Sequence, residues 1–130
     1  MITIKSYTDL EQSKKLAEIL PIESADMVLP FKRSKNDENT PEYVISRNYI
    51  EVYNGIMKLP GIEKEDVCKL IHPCWSLSAL LGVLPNENML VKTTDGEHYC
   101  LSKNVMTKRY NNPVDACYEM IIHLNELKML

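Results

Sequence analysis

Between Pro73 and Pro85 the chain reads Cys74-Trp75-Ser76-Leu77-Ser78-Ala79-Leu80-Leu81-Gly82-Val83-Leu84, without a single charged side chain. The stretch holds the only tryptophan in 130 residues and the densest apolar run. Such a segment is strongly driven out of water, so a chain of this size is expected to build its core on it. Ser76 is a good helix N-cap, and about nine helical residues after it would span only about 13 Å. A helix that short is not stable alone. Trp75, Leu77, Leu80, Leu81, Val83 and Leu84 leave almost no polar side, which predicts a helix buried on most faces.

Two longer amphipathic helices offer cover. Thr8-Asp9-Leu10-Glu11 has the form of a capping box, and Leu10, Leu16, Ala17, Ile19 and Leu20 follow at helical spacing. Pro21 ends this helix, predicted over residues 9–20. At the other end of the chain, Asn112-Pro113 supplies an N-cap and a first-turn proline. Cys117, Met120, Ile121, Leu124 and Leu127 then recur at threes and fours. A shorter helix is predicted over 62–71, behind the acidic Glu63, Glu65 and Asp66.

The strongest β signal is Asp95-Gly96 between two β-prone runs. A two-residue loop there sets Leu90 opposite Leu101, Val91 opposite Cys100 and Lys92 opposite Tyr99. Residues 105–110 read as a third antiparallel strand. Tyr43-Val44-Ile45 and Tyr49-Ile50-Glu51-Val52-Tyr53 read as two more short strands, from their β-branched and aromatic content. Glu23–Met27 reads as a turn or as a helical turn capped by Ser24. Residues 32–41 are polar, with cations first and anions after, and read as an exposed loop. The expected architecture is one globular α+β domain over 1–130. Its small antiparallel sheet, from the 89–110 meander and the strands near 43–53, is covered by the N-terminal, central and C-terminal helices.

With 45% apolar and 25% charged residues, the chain has material for a core and a charged surface. Its net charge of −3 makes nucleic acid an unlikely partner. No run reaches the roughly 18 apolar residues of a membrane span, and no signal-peptide pattern follows Met1, so the expected location is the cytoplasm. Cys68, Cys74, Cys100 and Cys117 sit inside apolar patterns and read as reduced, mostly buried thiols.

Cys74 is the first residue to weigh for chemistry. It lies just ahead of a helix N-terminus, where a thiol pKa can fall, and His72 or the more distant His98 could activate it. A small thiol packed beside Trp75 is the simpler account. Cys68, His72, Cys74, His98 and Cys100 could be assembled into a metal site, but no two of the cysteines have the C-x2–4-C spacing of common zinc sites. No metal and no cofactor is expected. Lys32-Arg33 and Lys108-Arg109 are basic pairs near Phe31 and Tyr110; a solvated loop and a solvated strand edge explain them without a nucleic-acid ligand.

Four blocks of sequence carry a resemblance. They are Glu11–Pro21, Glu23–Met27, Pro73–Leu81 and Asn112–Cys117. In these the chain resembles a group of short uncharacterised proteins from gut Bacteroidetes and their phages or mobile elements. The resemblance implies a bacterial or phage setting and favours an accessory or interaction role over metabolism; it brings no activity or site residue with it.

The leading expectation is therefore a non-enzymatic protein that binds another protein or itself, with Tyr43, Tyr49 and Tyr53 contributing to an exposed aromatic patch. The first rival is a cysteine-dependent enzyme centred on Cys74. The second is a weak nucleic-acid-binding accessory protein, in which Lys32, Arg33, Lys108 and Arg109 would share a face.

Overall fold

A computed structural model describes residues 5–30 and 45–130. It has the expected α+β character, with five helices and two small antiparallel sheets among the described residues. These elements form two compact units. The predicted exposed loop at 32–41 lies outside the described residues.

The first unit is Asp9–Trp75. Its opening helix α1 spans Leu10–Ile19 and is capped by Asp9, one residue later than the sequence suggests. Asp9 Oδ1 accepts from the Gln12 N–H at 2.8 Å, and Gln12 Oε1 accepts from the Asp9 N–H at 3.2 Å. The box is thus Asp9/Gln12 and not Thr8/Glu11, and it sets a carboxylate on the positive end of the helix dipole. After Pro21 a 3₁₀ turn at Ile22–Ser24 leads into strand β1, Met27–Pro30.

Residues 49–53 are not a strand. They open helix α2, Tyr49–Met57. Tyr49, Val52, Tyr53 and Ile56 satisfy a helical period as well as β propensity, and the buried Tyr49 anchors the inward side. Helix α3, Lys64–Leu70, starts at the acidic cluster as expected, with the Glu63 N–H donating to Asp66 Oδ2 at 2.9 Å.

Strand β2 follows directly at Ile71–Cys74 and pairs antiparallel with β1, Val28 facing Pro73 and Met27 facing Cys74. Proline fits here because Val28 turns its backbone away: its N–H and C=O bond Ile45 at 2.9 and 2.8 Å. The Val28–Pro73 pair therefore sits at a non-hydrogen-bonded position, where a missing N–H costs nothing. Helices α1, α2 and α3 all pack on β2. The core of this unit is Leu16, Val28, Leu29, Tyr49, Val67, Ile71, Cys74 and Trp75. The buried Trp75 indole N–H donates to Ser24 Oγ at 2.9 Å, and that hydroxyl donates to the Pro21 carbonyl at 2.6 Å.

The second unit comprises residues 5–8 and 76–130. Helix α4, Leu77–Val83, is capped by Ser76, whose Oγ accepts from the Ala79 N–H at 3.2 Å. It is not buried on most faces: Leu80 and Leu84 are buried, while Leu77, Leu81 and Val83 are half-exposed. The apolar stretch from Pro73 to Pro85 is in fact divided, its first three residues closing the first unit and the rest opening the second.

Strands β3 (Met89–Lys92), β4 (His98–Ser102) and β5 (Val105–Met106) make an antiparallel sheet in that order. Its register is one residue away from the two-residue-loop expectation: Leu90 faces Cys100, Val91 faces Tyr99 and Lys92 faces His98. Thr93 closes the ladder by donating its N–H to the Glu97 carbonyl at 2.8 Å, leaving Thr94, Asp95 and Gly96 as the loop. Gly96, at φ 84°, takes the left-handed position that such a three-residue loop requires. The Thr93 hydroxyl fixes the turn, accepting from the Glu97 N–H and donating to Asp95 Oδ1. Between β4 and β5, Lys103 and Asn104 both have positive φ, as a two-residue hairpin demands.

Helix α5, Pro113–Glu126, packs against β3, β4 and α4. Asn112 caps it as expected, its Oδ1 accepting from the Asp115 N–H at 2.8 Å. Asp115 also pairs with Lys5 at 2.7 Å. Leu80, Cys100, Val114, Cys117, Met120, Ile121 and Leu124 form the core of this unit.

Candidate functional site

The nucleophile suggested by the sequence is out of reach. Cys74 ends β2 with 0% of its surface exposed, so no substrate in solution can approach its sulfur. His72 lies two residues earlier, half-buried; burial and then the nearby Lys14 cation hold its pKa below the usual imidazole value. His98 lies in β4 of the other unit, its backbone bridged to Tyr110 by bonds of 2.7 and 2.8 Å. Among the described residues no three His, Cys, Asp or Glu side chains converge as metal ligands.

A different thiol pair does meet. Cys100 on β4 and Cys117 on α5 are both buried, and the two thiols lie close enough to influence each other's titration. The neighbouring Cys100 thiol and burial push Cys117 far up. With neither sulfur accessible, the pair is a packing contact between sheet and helix.

The aromatic patch is also corrected. Tyr43 lies outside the described residues, as do Lys32 and Arg33. Tyr49 is only 4% exposed and rests against Tyr53, with ring centroids 6.0 Å apart and planes tilted by 39°. The tyrosines of α2 belong to the core and its margin rather than to an open surface.

Lys108 and Arg109 stand elsewhere, and the strand geometry explains how. Beyond β5 the chain continues beside β4: Thr107 donates its N–H to the Cys100 carbonyl at 3.0 Å, and its hydroxyl accepts from the Cys100 N–H at 3.0 Å. Tyr110 then bridges His98. Lys108 and Arg109 are thus two residues set against the single residue Tyr99, which is a β-bulge. Bulges redirect side chains, and this one presents two consecutive cations, both exposed.

Strand pleating assigns the rest. Cys100 and Ser102 point towards α5, so Tyr99 and Leu101 point the other way, together with their partners Val91, Met89 and Met106. The outward face of the sheet is therefore entirely apolar or aromatic in its three strands. Met89 is 57% and Met106 65% exposed; Val91, Tyr99 and Leu101 are half-exposed. Where this face meets the bulge, Tyr99, Met106, Thr107, Lys108 and Arg109 line an open cleft of about 420 Å³. A second hollow of about 270 Å³ is lined by Met106, Thr107, Lys108, Tyr110, Glu119 and His123.

Met89, Tyr99 and Met106 are not among the site residues that the sequence suggests. Their signal was the alternation 89/91 and 99/101, which becomes readable as one face only when the hairpin register is right. No family model matches the chain, and neither a curated protein nor a solved structure is similar to it at a significant level.

Proposed function

We propose that this chain is a non-enzymatic protein-binding module and that its binding surface is the outward face of the β3–β4–β5 sheet. One observation supports the reading above the others: a sheet with α5 on one side carries Met89, Val91, Tyr99, Leu101 and Met106 on the other. A three-stranded sheet packed on one side ordinarily alternates apolar-in with polar-out. An apolar row where polar residues belong, rimmed by Lys108 and Arg109, is the composition of an interaction site. The resemblance of four sequence blocks to proteins of gut Bacteroidetes and their mobile elements supports placing this module in a bacterial or phage setting, as an accessory protein of the cytoplasm.

Selection of a random peptide library against the full chain tests this. Enriched peptides, synthesised and titrated individually, are expected to lose roughly tenfold or more in affinity for Met89→Thr/Met106→Thr. Equal binding to the double variant, or no enrichment, overturns the reading.

A further inference from the structure

We infer that the segment this face receives is acidic and carries one apolar anchor side chain, the anchor entering the Tyr99–Met106 cleft and its flanking carboxylates meeting Lys108 and Arg109. The inference rests on the protein-binding reading above and adds the chemistry of the partner.

Three observations carry it. The cleft joins an aromatic ring and a thioether chain to two cations, so one end suits an apolar side chain and the other an anion. At about 420 Å³ it is near the lower end for a ligand pocket, sized for one anchor rather than a large cofactor. Among the described residues neither Lys108 nor Arg109 is engaged in an ion pair, so both charges are available to a ligand. In the β3–β4 loop the Asp95 carboxyl is held below its usual range chiefly by the Thr93 hydroxyl and a backbone N–H, with Arg109 a smaller contributor.

Single-stranded nucleic acid would also use an aromatic and two cations. The row Met89–Leu101–Met106 gives a phosphate backbone nothing to bond, and the chain is net negative. A second copy of the chain would bring four like charges to one interface, since a two-fold contact presents the same patch twice.

The experiment is fluorescence anisotropy with the full chain and four labelled probes. These are a peptide with one central Trp among Glu and Asp, the same peptide with Lys in place of the acids, a neutral Ser version, and an oligouridine. The acidic peptide is expected to bind roughly tenfold tighter than the Lys peptide and to weaken as salt rises. Lys108→Glu/Arg109→Glu should invert that order, and because both residues are exposed the variant should melt like the parent. Acidic, neutral and Lys peptides binding alike would overturn the acidic preference and leave the protein-binding reading standing. Binding of oligouridine alone would overturn both, as would absence of any binding together with a dimer in sedimentation.

Discussion

The β1–β2 ribbon and the β3–β4–β5 sheet are built from similar apolar residues and end in opposite circumstances. In the ribbon Val28, Leu29, Ile71, Pro73 and Cys74 are all buried, from side chains on both faces. In the three-stranded sheet only Cys100 and Ser102 are, and both point the same way. The difference lies in the helices available to each: α1, α2 and α3 pack on β2, whereas β3 and β4 share α5. Two strands served by three helices can be covered on both sides; three strands served by one cannot. An apolar strand therefore does not by itself predict a buried one. Where a unit lacks the helices to cover a second apolar face, that face stays in contact with water.

The largest effect is expected where cover is complete. Trp75→Ala removes a fully buried indole and leaves the Ser24 hydroxyl without its donor, and should cost about 3–5 kcal/mol in denaturant unfolding. A Trp75→Ala variant with the parent's midpoint would mean that the first unit does not depend on this core. A smaller effect of opposite sign is expected in the second unit. Ser102 is 2% exposed and, among the described residues, its hydroxyl has no hydrogen-bond partner. Replacing a buried hydroxyl that bonds nothing removes a desolvation penalty, so Ser102→Ala should raise stability by about 1 kcal/mol. Loss of stability in that variant would reveal a partner for the hydroxyl. Together the two substitutions set a polar contact that is satisfied against one that is not.

The helical frame was legible in the sequence because its signals are local. Ser76, Asn112-Pro113 and the acidic start at Glu63 each mark a helix start by a mechanism that acts within four residues. Signals that depend on pairing were not. Strands β1 and β2 are four residues each, both contain a proline, and Pro73 is tolerated only because Val28 bonds Ile45 on its far side. Tyr49–Tyr53 carries a β-like composition that helical periodicity and burial of Tyr49 override. The hairpin is the instructive case. Asp95-Gly96 correctly marks the turn, but the Thr93 hydroxyl bonds to Asp95 and Glu97 select a three-residue loop, and that single residue changes which side chains face each other. At the candidate site, Lys108 and Arg109 were visible as a basic pair. Their alignment beside Tyr99 and Met106 was not, because a bulge is a property of two strands together.

The smallest expected effect tests the uncovered face itself. Met89 and Met106 keep more than half their surface in water, so shortening them removes little buried area and creates no cavity. Met89→Thr/Met106→Thr should therefore stay within about 0.5 kcal/mol of the parent, helped by the β propensity of threonine. The same change should reduce binding of an apolar dye such as anilinonaphthalene sulfonate, because the row from Met89 through Leu101 to Met106 is interrupted at both ends. A destabilisation of several kcal/mol would show that these methionines are packed in solution and that the face is covered from within the chain. Unchanged stability with reduced dye binding would separate the two sheets as the burial pattern does: one closed by its own helices, the other open to water.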